Sequence, residues 1–403
     1  MNRVYVGGAF FILLISLVAY YISFRLVILA ILSLLSLLTI YPAPTSTLWL
    51  VSVIASEYSI FFAGLTLITL LSGFFSSCCV IFGTVIGLIT LFLFLTPIIR
   101  AHFIAQQLPS NLKQAFNHIN KNTVLNNKLS TNEPFTIGKL FRSGPKIPYQ
   151  TFTYVTYDDI TLKLDYYPSA ITGKRPCVLV IHGGSWISGS RKQLPELNSH
   201  LARIGYHVVA INYRLAPKWK CPAPIEDTHA ALNYLRDHAD ELNIDIDNFI
   251  LLGRSAGGQI ALLSAYTLEK LGIKGAINFY GPVDMIWGYK NPTNPLVLDS
   301  HETLVRYVGG TYEDIPEKYK ASSPIEFVKK STVPTLSFHG ATDPLVFDEH
   351  ARRLAAKLKE NEVPNYFLLL PWATHGFDYN LNGPGGQLST YAIEYFLHVV
   401  TQK

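Results

Sequence analysis

Two patterns of apolar and polar positions divide the 403 residues of this chain. Residues 1–97 are almost continuously apolar, whereas residues 149–403 alternate short apolar runs with stretches at helical spacing. A bilayer core needs ~20 apolar residues per helix, and the first block holds apolar runs near residues 5–20, 26–40, 48–71 and 74–96. Pro42 and Pro44 mark one break between runs, and Ser72-Gly73 marks another. Only Arg25 and its neighbours divide the first two, so the pattern fits three spans or four. A cleaved signal peptide has an apolar core of only ~7–15 residues, so the block predicts an all-helical transmembrane region over 1–97. Residues 98–148 then read as a basic juxtamembrane connector. Within it, Pro109-Ser110 followed by Leu112, Phe116 and Ile119 predicts a short amphipathic helix with Ser110 near its cap. Lys113 and Lys121 suit that helix either to anionic lipid or to packing on the domain that follows. Residues 120–148, rich in Asn, Ser, Thr, Gly and Pro, read as a linker.

In residues 149–403 the pattern changes to that of a folded α/β domain. Residues 151–157 and 160–167 alternate around Asp158-Asp159, as in an antiparallel hairpin. Strand-like runs follow at 177–181, 206–211, 249–252, 275–280, 335–338 and 366–370. Helical patterns lie at 195–204, 225–241, 259–271, 346–358 and 386–400. Such alternation predicts a mostly parallel central sheet with helices on both faces. Residues 282–324 carry no clear sheet element but hold Trp287, Tyr289, Pro292, Pro295 and Tyr307. They are read as an insertion over the strand ends that supplies substrate walls.

Charge sharpens this division. The first 96 residues carry only Arg3, Arg25 and Glu57, and residues 98–146 hold seven basic side chains against Glu133 alone. The remainder is slightly acidic, with 24 basic and 26 acidic residues, so the net +5 belongs to the segment beside the apolar block. A nucleic-acid surface would need that charge on the folded domain, so nucleic acid is excluded as a partner. Basic residues gather on the cytoplasmic side of membrane spans. Arg100 and Lys113 therefore predict an integral membrane protein whose C-terminal domain faces the cytoplasm. Cys177 and Cys221 have no spacing that suggests a disulfide framework or a metal site.

The chemistry centres on Gly253-Arg-Ser255-Ala-Gly257, a G-x-S-x-G between a predicted strand and a predicted helix. The two glycines remove Cβ atoms where strand and helix crowd, leaving Ser255 on a sharp turn with its hydroxyl exposed. A serine hydroxyl needs a base, and the base an orienting acid. Asp343 follows the strand at 335–338 and His375 follows that at 366–370, both at the edge where parallel sheets bind ligands. Asp348, a rival acid, reads as a helix cap. Acyl transfer also needs oxyanion donors. The N–H groups of Gly183 and Gly184, in His182-Gly-Gly after another strand, and that of Ala256 are the candidates. Trp186, Arg254 and Asp284 are candidate substrate contacts, each with a structural alternative. These are packing for Trp186, a buried ion pair for Arg254 and a structural hydrogen bond for Asp284. Glu226 and Asp227 read as helix-capping residues. No H-E-x-x-H and no Cys/His cluster occurs, so no metal or other cofactor is expected.

Residues 149–403 resemble the α/β-hydrolase fold, and within it the hormone-sensitive-lipase-like and related small carboxylesterases. The resemblance rests on His182-Gly-Gly, Tyr213-Arg-Leu-Ala-Pro217, Gly253-Arg-Ser-Ala-Gly-Gly258, His339-Gly-x-x-Asp343 and His375-Gly-Phe377. It implies a serine carboxylesterase with Ser255 as nucleophile, His375 as base and acid, and Asp343 as its orienter. The sequence departs from the family at Ser185, where a third glycine is usual, and at Arg254, where aspartate is common. The expected substrate is a small-molecule or lipid ester, with activity falling on acidification as the imidazole takes up a proton. Two other functions fit the same chain: an amidase or formamidase using this triad, and a catalytically silent membrane-bound binding protein.

Overall fold

The computed structural model describes residues 24–72, 80–119, 129–130, 133–268 and 270–401. Four helices open it: α1 (Phe24–Leu37), α2 (Ser46–Glu57), α3 (Ser59–Leu71) and α4 (Val80–Phe116). Eight strands follow, β1 (Gln150–Tyr157), β2 (Ile160–Tyr167), β3 (Arg175–Ile181), β4 (His207–Ile211), β5 (Ile244–Arg254), β6 (Ile273–Phe279), β7 (Thr335–Gly340) and β8 (Asn365–Leu370). Their order in the single sheet is β1-β2-β4-β3-β5-β6-β7-β8. The first two pairings, β1–β2 and β2–β4, are antiparallel and the rest parallel. The hairpin and the parallel sheet expected from the pattern are both present.

Both faces of the central strands are buried, which is why they read as continuous apolar runs. Leu179 and Ile181 of β3 and Leu251 of β5 face one side, together with α6 (Ala223–Asp237) and α7 (Ala256–Thr267). Val178, Val180, Ile250 and Leu252 face the other, with α5 (Pro195–Arg203) and the terminal helix Pro384–Val400. The second layer also takes in the end of α4. Leu108, Leu112 and Phe116 are fully buried there, and the Phe116 ring lies 5.1 Å from that of Phe396.

The N-terminal block differs from the sequence reading. Among the described residues one helix, Ile81–Phe116, is long and apolar enough to cross a membrane by length and composition. The run at 48–71 forms two helices, α2 and α3, bent by 80° at their junction and together apolar enough to make one broken span. The run at 26–40 forms the shorter α1, and that at 5–20 lies outside the described residues. The boundary expected at 97 falls inside α4, which continues through Pro97 and Pro109. Proline removes a helical N–H donor, and here side chains satisfy the carbonyl that Pro97 cannot reach. The hydroxyls of Thr96 and Thr39 donate to Leu93 C=O at 2.7 and 3.3 Å. Ser110 is therefore inside a helix, not at its cap. Of its two expected placements, the amphipathic segment takes the packed one. The described part of the connector is likewise bound down: Ser130 is held by Glu394, Thr136 N–H by Gln387, and Ile147 N–H by Ser199 Oγ.

Around a small apolar cluster of Leu32, Ala55, Ala63 and Phe94, these helices bury polar side chains and leave many large apolar ones exposed. α2 buries Ser52, Ser56 and Glu57 and exposes Leu50 and Ile54. α3 buries Ser59, Ala63, Thr66 and Thr69, while Phe61 and Ile68 are 51% and 66% exposed. The first half of α4 exposes Ile81, Phe82, Val85, Leu88, Ile89 and Phe92. Between the helices, Ser33 and Thr90 hydroxyls pair at 2.6 Å, and Arg25 Nε donates to Thr69 C=O. A water-facing bundle would put polar side chains where these helices expose Leu, Ile, Val and Phe.

Candidate active site

The site lies where β3, β5, β6, β7 and β8 end. β5 runs directly into α7, and Ser255 between them adopts φ +52° and ψ −122°. A non-glycine residue there is strained by about 1–3 kcal/mol. Close packing enforces the turn: a Cβ at Gly257 would lie 2.2 Å from Ile181 O, and one at Gly253 2.0 Å from Gly257 O. Ser255 N–H donates to Phe279 C=O at 2.9 Å, fixing the turn to the end of β6.

The next residue along, Tyr280, brings in the imidazole. Its ring centroid lies 4.3 Å from that of His375, and its N–H bonds Phe338 C=O on β7. His375 Nδ1 lies 2.7 Å from Asp343 Oδ2, and His339 Nε2 lies 3.2 Å from the same oxygen. Asp343 Oδ1 accepts the N–H groups of Leu345 and Val346. Burial alone would raise the Asp343 carboxyl. The adjacent His375 and the donors from both histidines outweigh that and hold it well below the usual carboxylate range. The structure thus joins Asp343 to His375, and it anchors the Ser255 backbone and the His375 ring on Phe279 and Tyr280, consecutive residues at the end of β6. No hydrogen bond links the Ser255 hydroxyl to the imidazole, a contact that often tightens only with substrate bound.

The oxyanion donors differ in part from expectation. Gly183 N–H is already committed to Gln193 Oε1 at 2.8 Å. Ala256 N–H opens α7, ahead of the first intrahelical bond. Gly184 and Ser185 follow in the loop, and Ser185 lines the pocket beside Ser255.

That pocket is walled by Trp186 and Ala256, by Met285, Leu298 and Leu304 of the insertion, and by Val346 and Phe347. Its volume is about 50 Å3, against the ~10–15 Å3 that one water needs. Residues 282–324 fold over the strand ends as α8 (Met285–Lys290), α9 (Ser300–Leu304) and α10 (Pro316–Ala321). Trp186 is at once wall and packing, stacked 4.3 Å from Tyr307. Arg254 and Asp284 do not reach the pocket. Arg254 is buried with Nε on Asp378 at 2.5 Å, and Asp284 caps α8 and pairs with Arg353. Glu226 and Asp227 do not cap. They clamp Arg214, and Asp227 also accepts from Tyr157.

Four supporting residues escaped the sequence reading. Gln259, one turn after Ser255, accepts from both Trp186 and Tyr307 and so ties the loop after β3 to the insertion. Gln193 holds Gly183, and Tyr280 lies under His375. Trp49 of α2 donates from Nε1 to His375 C=O at 2.9 Å. Only Gln259 carried a signal, its i+4 spacing from Ser255.

Burial pushes His182 down to about 4 and His350, in the pocket wall, down to about 3. Both stay neutral in the fold but protonate in the unfolded chain below ~6.5. Their contribution is therefore neutral above that value, and the fold loses stability as pH falls from ~6.5 towards 4. The slope is up to about 1.4 kcal/mol per pH unit for each histidine. Thermal midpoints at pH 7.5 and 5 should show this drop, and equal midpoints would contradict it.

The BD-FAE family model matches residues 164–358. Among curated proteins, the chain is 30% identical over 240 residues to LipM of Mycobacterium tuberculosis, named a probable carboxylic ester hydrolase. That match covers 56% of this chain and 55% of LipM. Esterase LipC of the same organism is 30% identical over 244 residues, covering 57% of this chain and 59% of LipC. The chain thus spans somewhat more than half the length of these relatives. The solved structure of the thermophilic esterase Est2 from Thermogutta terrifontis superposes with a TM-score of 0.51 at 25% identity. It covers 62% of this chain and 91% of Est2. The fold is that of the α/β-hydrolases. Within it, the G-x-S-x-G turn, the aspartate after β7 and the histidine after β8 occupy the strand ends in that fold's order.

Proposed function

We propose that this chain is a membrane-anchored serine esterase that cleaves carboxylic esters of hydrophobic alcohols. The observation that carries the reading is the strained Ser255 at the end of β5, with a buried Asp343–His375 pair at the ends of β7 and β8 on the same edge of the sheet. The named activities of LipM and LipC support ester hydrolysis. Ser255 Oγ attacks the ester carbonyl as His375 Nε2 takes its proton, and Asp343 holds Nδ1–H so that Nε2 is the free base. Ala256 N–H and the Gly184-Ser185 segment meet the oxyanion, each donor worth about 2.7–4 kcal/mol. The alcohol leaves with the proton from His375, and water then releases the acyl group from Ser255 by the same path.

The outward-facing apolar side chains of α2, α3 and α4 support seating in a bilayer. At ~1.5 Å per residue α4 is ~55 Å long, longer than a ~30 Å hydrocarbon core. Its first half can therefore lie in lipid while its last turns pack on the sheet. Arg100 and Lys113 favour a cytoplasmic position for the hydrolase domain. The small apolar pocket suits a short acyl group, which leaves the bulk of a lipid-like substrate on the alcohol side.

Rates on bilayer-borne and water-soluble esters test this reading. Short acyl groups on a bilayer-borne alcohol should be hydrolysed fastest, and acyl chains of twelve or more carbons slowly. A clear preference for soluble esters would overturn the lipid assignment.

A further inference from the structure

We propose that Trp49, on the apolar α2, is a positioning residue for the catalytic imidazole, so that the N-terminal arm is a working part of the active site. This rests on the esterase reading of Ser255 and His375. His375 sits in a loop between β8 and the short 3-10 turn Phe377–Tyr379, with no ladder bonds to steady its backbone. Asp343 and the Tyr280 ring fix its side chain. Its main-chain carbonyl accepts a hydrogen bond from the indole Nε1 of Trp49 at 2.9 Å, across 326 residues of sequence. The two rings lie edge to face, with centroids 6.2 Å apart.

α2 grips the same loop a second time. Glu57, at its C-terminal end and 1% exposed, accepts from Trp372 Nε1 at 3.4 Å and from Gly385 N–H at 3.0 Å. Trp372 and His375 bound the loop, so the helix holds it at both ends. The start of the arm is tied to the opposite wall of the cleft. Ser46 N–H donates to Leu296 C=O, and Asn294 Nδ2 donates to Pro44 C=O. Thr293 and Leu298, beside those residues, line the pocket. One helix thus spans the mouth from the histidine loop to the insertion, while Leu50 and Ile54 on its outer side face away from the protein. How that helix is seated sets where the base stands. A misplacement of ~1 Å at a reacting group can cost about 10^2 in rate.

The test uses the full-length protein in detergent micelles with a water-soluble short-chain ester, so that substrate delivery from a bilayer does not enter. Two replacements of Trp49 are compared: Trp49→Phe, and the isostere 3-benzothienylalanine, which keeps the indole shape without the N–H. Both are expected to lower kcat about tenfold at unchanged KM and unchanged Tm. Both should also slow labelling of Ser255 by a fluorophosphonate to a similar extent. Wild-type kcat and labelling in both would overturn the proposal, as would a loss in Trp49→Phe that the isostere restores, since shape alone would then account for it. A wild-type protein that does not label at all would remove the esterase reading itself, a separate failure.

Discussion

Replacing Ser255 with alanine is expected to lower kcat on any ester by about 10^6-fold, the scale seen when a triad nucleophile is lost. The fold should survive. Alanine fits the Ser255 site sterically, and the turn is held by Ser255 N–H on Phe279 and by the glycines at 253 and 257 rather than by the hydroxyl. Ser255→Gly separates the two roles of this residue. It also removes the nucleophile, but at φ +52° glycine relieves the strain. It should therefore be more stable than the alanine variant by about 1 kcal/mol. Activity assays and thermal melts of the two variants together check both statements. An alanine variant that retains more than a thousandth of wild-type activity would point to a different nucleophile.

The second large effect is expected at the orienting acid. Asp343 Oδ1 accepts two backbone N–H groups, from Leu345 and Val346, while Oδ2 faces His375 and His339. In Asp343→Asn the amide oxygen keeps the backbone pair, so the amide NH2 is turned towards His375 Nδ1. The imidazole then carries its proton on Nε2, the wrong tautomer for a base, and kcat should fall about 10^4-fold with KM little changed. A loss below tenfold would mean that another acid serves. The structure gives the alternatives other work: Asp348 pairs with Arg352, and Asp378 holds both Arg254 and Tyr280.

What was legible in the sequence followed from local rules. The strands of the sheet are buried on both faces, so β3 and β5 announced themselves as apolar runs, and the turn residues at 253–257 and 182–184 named the loops that follow. Asp343 and His375 could be placed at one edge of the sheet because each stands just past such a run. What stayed hidden is decided by partners distant in sequence. A buried ion pair was one of the two readings of Arg254, but nothing near it shows that the acid is Asp378, 124 residues on. Nor does the sequence near Gly183 show that Gln193 takes its N–H. Hydropathy alone also falls short in the first block. It counts how apolar a stretch is, but not that Tyr58 bends the run at 48–71, nor that α4 continues through two prolines to become part of the sheet's own core. Glu57 was visible as the lone acid among the first 96 residues, yet its purpose, a clasp on Trp372 and Gly385, appears only in three dimensions.

A nucleophilic Ser255 activated by His375 and Asp343 should react with a fluorophosphonate probe, and mass spectrometry of the intact protein's labelled peptide locates the adduct. A single adduct on Ser255, absent after Ser255→Ala and strongly slowed after Asp343→Asn, is the predicted result. A wild-type protein that stays unlabelled, or an adduct on another residue, would contradict the account.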